Sequence, residues 1–189
     1  LADRLQTAEP LPQGESLRIV HGMAQALAAA HQAGIIHRDL KPENVMLLGA
    51  PAVGTATADK VKVLDFGIAK ILQSQVDARQ TAPGSVLGTP LYMSPEQCVG
   101  NLVTDPRADV YALGVMLYEL CCGRPPFVSD RFAFLMRMHV NEAPKPLIER
   151  NPAILPAVDA LTMRMLAKKP ADRPTMAQVA AELEQIILR

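Results

Sequence analysis

The string His37-Arg38-Asp39-Leu40-Lys41-Pro42-Glu43-Asn44 gathers an imidazole, two cations, two carboxylates and an amide in one short stretch. Pro42 disfavours helix for Lys41 before it, so these side chains belong to an ordered loop. Further along, the β-branched run Val61–Leu64 leads into Asp65-Phe66-Gly67. Asn44 and Asp65 then stand at the ends of short apolar runs. Two such oxygen donors suit a hard cation such as Mg²⁺, which takes few protein ligands and completes its shell with phosphate oxygens. Asp39 is a carboxylate near that metal without necessarily binding it, and Lys41 adds a positive point charge beside it. The bland readings are a packed core histidine at His37 and ordinary turn residues at Asn44 and Asp65.

Those groups need a scaffold. Leu17, Val20, Met23, Leu27 and Ala30 recur at helical spacing, which predicts a helix over about Ser16–Ala33, ended by Gly34. Ile35-Ile36, Val45–Leu48 and Val61–Leu64 read as short strands around the polar loop. Residues 49–60 are turn-rich, and Leu72 to about Arg107 shows no period. Arg107–Cys122 is apolar nearly all round, as a buried central helix is. Ser129–His139 carries Phe132, Leu135, Met136 and His139 on one face, and Val158, Leu161 and Met165 mark another helix, ending near Lys168-Lys169-Pro170. Thr175 and Gln178 have capping-box spacing ahead of Val179, Leu183 and Ile186. With a further short helix within Leu1–Gln6, the chain reads as α+β, mostly helical, with a few short strands.

Composition narrows the function classes. The 189 residues are 49% hydrophobic and 20% charged, with 19 basic and 19 acidic side chains. That supplies a packed core and excludes a disordered, solvated segment. Zero net charge argues against a mainly electrostatic binder of nucleic acid or membrane surfaces. Cys98, Cys121 and Cys122 are too few and too poorly spaced for a disulfide scaffold or a zinc site, which points to a reducing cytosol. No apolar run approaches the ~18 residues of a membrane span. Cys121-Cys122 reads as the end of a buried helix, Lys168-Lys169 as a solvated helix end, and His21, His31 and His139 as helical histidines without a functional role.

Together the motifs resemble a serine/threonine protein kinase of the bacterial receptor-type branch, in its large C-terminal lobe. The resemblance implies ATP as phosphoryl donor, Mg²⁺ as cofactor, and serine or threonine hydroxyls of proteins as acceptors. Asp39 would orient the acceptor hydroxyl and take its proton, Lys41 would neutralise the transferring group, and Asn44 and Asp65 would hold Mg²⁺. Met46 would floor the adenine pocket, although by pattern alone it is equally a strand core residue. Gly88-Thr89-Pro90-Leu91-Tyr92-Met93-Ser94-Pro95-Glu96 resembles the end of an activation segment, with Ser94 where the family usually has Ala. Thr89 would bond near Asp39, and His37 would pack beside Phe66 of Asp65-Phe66-Gly67. Asp109 would tie to the loop backbone, and Arg173 would pair with Glu96. Arg38 directly precedes Asp39, so a phosphorylated hydroxyl from the aperiodic stretch, Thr81 first and Ser85 second, would bring it an anion.

The family also uses a glycine-rich loop, a strand lysine and a partner-helix glutamate. None of the 11 glycines makes a Gly-x-Gly, and no lysine precedes His37. The expectation is therefore one kinase domain over 1–189, represented by its C-terminal lobe and inactive by itself. ATP and protein substrates are the expected partners, with no nucleic acid. The expected location is the cytoplasm, with any membrane contact made through segments outside this chain. Two other readings stand beside it: a non-catalytic kinase-like binding module, and a small-molecule phosphotransferase. Arg38, Lys41, Ser94-Pro95-Glu96 and Arg173 speak against the second.

Overall fold

Helical periodicity at Leu17–Ala30 becomes a long helix in the computed structural model, which describes residues 1–5, 9–48, 60–65, 90–101 and 105–189. After a short α1 (Ala2–Leu5), α2 (Gln13–Gln32) starts behind Pro12 and buries Leu17, Ile19, Val20, Met23, Ala24 and Leu27. Gly34 ends it at φ 75°, and the Ile35 N–H donates back to the Ala30 carbonyl at 2.9 Å, a Schellman closure. Ile35-Ile36 is therefore not a strand, against expectation. The Ile35 amide closes the helix, and the amides of His37 and Arg38, just beyond Ile36, are taken by a side chain rather than a strand partner.

The strands are β1 (Val45–Leu48) and β2 (Lys60–Val63), antiparallel, with Val45 opposite Val63 and Met46 opposite Lys62. Val45, Leu47, Val61 and Val63 face the core. Met46 is 45% exposed, which corrects the strand-core reading, because alternate side chains of a half-buried strand stand on opposite faces. In the stretch read as aperiodic, a 3₁₀ turn at Pro90–Tyr92 precedes α3 (Pro95–Cys98), which has Ser94 at its N-cap. Phe66, Gly67, Thr81, Ser85 and Thr89 lie outside the described residues.

α4 (Arg107–Cys122) is the central helix: every residue from Ala108 to Cys121 except Glu119 is buried. Around it come α5 (Phe132–Asn141), α6 (Leu147–Arg150), α7 (Pro156–Met165) and α8 (Met176–Ile187). α5 buries Leu135 and His139, but Phe132 opens the helix 55% exposed and so does not join that face as expected. The Thr175–Gln178 capping box closes as the spacing predicts: Gln178 N–H donates to Thr175 Oγ1 at 3.3 Å, and Thr175 N–H to Gln178 Oε1 at 2.8 Å. α2 packs along both α8 and α4, and α4 along α7. Among the described residues no helix is long and apolar enough to cross a membrane.

Arg173 fastens this helical base to α3. Its guanidinium grips Glu96 with two bonds, Nη1 to Oε1 at 2.7 Å and Nη2 to Oε2 at 2.8 Å. The remaining N–H groups donate to the carbonyls of Ala167, Arg107 and Lys168 at 2.7–3.0 Å. All five donors of the fork are thus satisfied, and the group lies over the Tyr111 ring at 5.0 Å. Lys168 is not the solvated helix end its sequence suggests. It is half-buried, donates to the His139 carbonyl at 2.7 Å and sits 4.6 Å from the Phe127 ring centre. Burial lowers its ammonium to about 8 and the His139 imidazole to about 4.

Two expectations test this packing. A Cβ on Gly114 of α4 would stand 2.9 Å from Met165 Cβ of α7. Gly114→Ala should therefore lower stability by about 1 kcal/mol or more in urea unfolding, despite the helix propensity it gains; a stabilised variant would refute the close approach. Arg173→Ala or Glu96→Ala alone should each lose about 3–5 kcal/mol, because each strands a buried charge. The double variant should lose far less than the sum, and simple additivity in a melting comparison would show the two do not act as a pair.

Candidate active site

Left-handed backbone is rare in non-glycine residues, and among the described residues it occurs at Arg38 (φ 66°) and Asp65 (φ 50°). Each position costs roughly 1–2 kcal/mol and persists only where its surroundings over-determine it. Around Arg38 the determinants are side chains. The Asp109 carboxylate, 1% exposed in α4, accepts the Arg38 N–H at Oδ1 and the His37 N–H at Oδ2, both at 2.8 Å. His31 of α2 reaches the same Oδ2 with Nε2, also at 2.8 Å.

His37 is fully buried and faces the other way. Its Nε2 donates to the Leu64 carbonyl at 2.8 Å, while its Nδ1 accepts the Asp39 N–H at 3.3 Å. A carbonyl only accepts and an amide N–H only donates, so the ring is the neutral Nε2–H tautomer. Lys41 is extended (φ −158°, ψ 163°), as Pro42 demands, and the chain makes a 3₁₀ turn at Pro42–Asn44. Asn44 is buried, and its Nδ2 donates to the Asp39 carbonyl at 2.8 Å, which settles which end of the amide is oxygen. The Asn44 carbonyl accepts the Leu64 N–H at 2.8 Å, extending the β1–β2 pairing by one step. The loop's last residue is thereby set beside the strand that delivers Asp65, whose side chain is exposed. Lys41 Nζ lies 3.4 Å from Asp39 Oδ2, with both side chains about a quarter exposed (27% and 25%).

The structure thus brings Asp39, Lys41 and Asn44 together on one loop, with Asp65 at the adjoining strand end. Arg38 turns its backbone into the same frame. Asn44 Oδ1 and the Asp65 carboxylate are hard oxygen donors, the set a Mg²⁺ ion takes. No cluster of three or more His, Cys, Asp or Glu able to hold a metal occurs among the described residues, so a cation here would take most of its shell from a ligand. Met46 and Lys62 stand on the outward side of the hairpin next to these groups. A cleft of about 550 Å³ between α7 and α8, lined by Arg164, Asp172 and Glu182 among others, contains none of them.

Neighbouring segments brace the loop from below. Tyr92 donates its hydroxyl to Glu119 Oε2 at 2.6 Å, joining the 3₁₀ turn before α3 to α4. Burial, reinforced by that carboxylate, pushes the Tyr92 phenol far up; burial also raises the Glu119 carboxyl, opposed by the Tyr92 bond. Gln97 of α3 donates to the Arg38 carbonyl at 2.7 Å. His31, which the sequence left without a role, and Gln97, which it did not single out, are thus part of the site's frame. No local signal could have found them: His31 and Asp109 are 78 positions apart, Arg38 and Gln97 59.

The chain matches the family described as "Protein kinase domain" over residues 1–183. It is 48% identical over 181 residues to the serine/threonine-protein kinase pkn3 of Myxococcus xanthus, covering 94% of this chain and 32% of that protein. It is 41% identical over 189 residues to the serine/threonine-protein kinase PknB of Mycobacterium leprae, covering 100% of this chain and 28% of that protein. A second Myxococcus xanthus protein, serine/threonine-protein kinase Pkn1, is 44% identical over 164 residues, 87% of this chain and 23% of its own length. The chain spans under a third of the length of these curated relatives. On the extent of the domain match and the loop geometry that accompanies it, this chain belongs to the protein kinase domain family, in its bacterial serine/threonine branch.

Proposed function

We infer that the complete protein transfers the γ-phosphoryl group of ATP to serine and threonine hydroxyls of other proteins in the cytoplasm, and that this chain supplies the large lobe of that kinase. The observation that carries the reading is the direct linkage of Asp39 to both Lys41 and Asn44 within a loop whose end pairs with the strand leading to Asp65. In this reading Asp39 orients the acceptor hydroxyl and takes its proton, and Lys41 offsets charge on the transferring group. Asn44 and Asp65 hold Mg²⁺, which when bound neutralises the phosphate oxygens. Met46 offers its exposed thioether to the flat face of the adenine. Arg38 receives the anion of a phosphorylated activation-segment hydroxyl, Thr81 first and Ser85 second.

Catalysis of this kind is positioning plus charge stabilisation, and one lobe supplies only part of it. The glycine-rich loop, strand lysine and partner-helix glutamate have no counterpart in this sequence, so the chain alone is expected to be nearly inactive. A binding module is the reading left if the complete protein shows no transfer at all.

Asp39→Asn in the complete protein should lower kcat by about 10²-fold or more with little change in KM for ATP, because the carboxylate acts on the acceptor while nucleotide contacts remain. Near-normal kcat in a peptide phosphorylation assay would remove Asp39 from that role. Asp65→Ala should instead abolish the Mg²⁺-dependent part of ATP binding, since the ion has few protein ligands to lose. Calorimetric titration with and without Mg²⁺ checks this, and unchanged affinity and metal dependence would exclude Asp65 from the metal site.

A further inference from the structure

The peptide unit joining Arg38 to Asp39 is planar, and both of its polar ends are held by side chains. The Asp39 N–H donates to His37 Nδ1 at 3.3 Å, and the Arg38 carbonyl accepts from Gln97 Nε2 at 2.7 Å. Gln97 is itself braced: its Oε1 accepts both the backbone N–H and the hydroxyl of Ser94, each at 3.0 Å. These partners leave the amide one orientation, since a carbonyl can face only its NH₂ and an amide N–H only its oxygen. Ser94 is fully buried, and Glu96, beside Gln97, is the residue Arg173 grips. The arm that touches the loop is therefore anchored in the helical base.

A change of ψ at Arg38 that φ of Asp39 does not compensate re-aims the Cα–Cβ bond of Asp39. The hold of Asp109 on the Arg38 N–H and of Gln97 on its carbonyl keeps Arg38 from a return to ordinary backbone. The geometry points to Gln97 as a positioning residue for phosphoryl transfer: with Ser94 as its brace, it aims the Asp39 carboxylate by holding the carbonyl of the preceding residue. This couples the aim of the proposed base to the seating of α3, the end of the activation segment. The inference rests on the reading of Asp39 as the base. A mere cap on α3 would need only the Ser94 contacts and would leave the 2.7 Å bond to Arg38 without consequence.

The test compares Gln97→Met, which keeps length but loses every bond, Gln97→Glu, which turns a carboxylate oxygen on the Arg38 carbonyl, and Ser94→Ala, all in the complete protein. Peptide phosphorylation is normalised to the folded fraction from melting curves. Both Gln97 variants should lower kcat by about 10-fold to 10²-fold, as small displacements of a reacting group do. KM for ATP should stay within about twofold. Ser94→Ala should lower kcat by roughly threefold, the loss of one supporting hydrogen bond, and should have no further effect in the Gln97→Met background. A lowered Tm with unchanged kcat per folded molecule is the signature of a cap alone and overturns the proposal. Should neither Gln97 variant fold, Ser94→Ala decides by the same split of kcat from KM. Asp39→Asn, run in parallel, separates the failures: normal kcat there removes the reading of Asp39 and this inference with it, whereas lost kcat there with normal kcat in the Gln97 and Ser94 variants removes the inference alone.

Discussion

The Asp109 carboxylate is the group on which the rest of the site depends. It lies inside the most buried helix of the protein, where an ionised group without partners would be prohibitive. Its partners are two successive backbone amides, of His37 and Arg38, and the ring of His31. Each side satisfies the other: the carboxylate gains three donors, and the loop gains acceptors for amides that no strand or helix could serve. Because α4 is apolar nearly all round and packed on every side, the position of that carboxylate is set by the whole core. The loop inherits the same fixity.

From that point outward the loop is held by side chains rather than by a regular ladder. His37 ties it to the end of β2, Asn44 closes it on itself at the Asp39 carbonyl, and Gln97 holds the Arg38 carbonyl from α3. A strand could not present these groups, since its backbone is committed to neighbours and its side chains alternate. A loop fixed by six side-chain-to-backbone bonds holds residues 37–39 in a shape no regular element offers, including one left-handed position. The Glu96–Arg173 pair plays the matching part for α3, and the saturation of all five guanidinium donors explains how such a charge tolerates being 2% exposed.

Much of this was legible beforehand. The central helix has the expected limits, Arg107–Cys122, because an unbroken apolar surround is itself a local signal of burial. The Thr175–Gln178 cap was visible for the same reason: a capping box lies within four residues. Resemblance to kinases supplied the Glu96–Arg173 and Asp109 contacts, which no periodicity carries. Where local pattern misled, tertiary contacts had intervened. Ile35-Ile36 has strand composition, yet its first amide closes α2. Lys168 has the look of a solvated end, yet a carbonyl and an aromatic ring draw it in.

By itself, then, the sequence determined where the longer helices run, where the polar loop falls and which residue types it carries, since these follow from spacing and composition within a few turns of chain; the short α3 and α6 carry too few residues to show a period. Only the tertiary structure decided that Met46 faces outward, that Arg38 is left-handed, and that His31 and Gln97 belong to the frame of the loop. The physical reason is that each of these depends on partners contributed by other elements. A hydrogen bond between residues 59 or 78 positions apart forms only once the core has brought their elements together, and nothing in the local pattern of either residue records it.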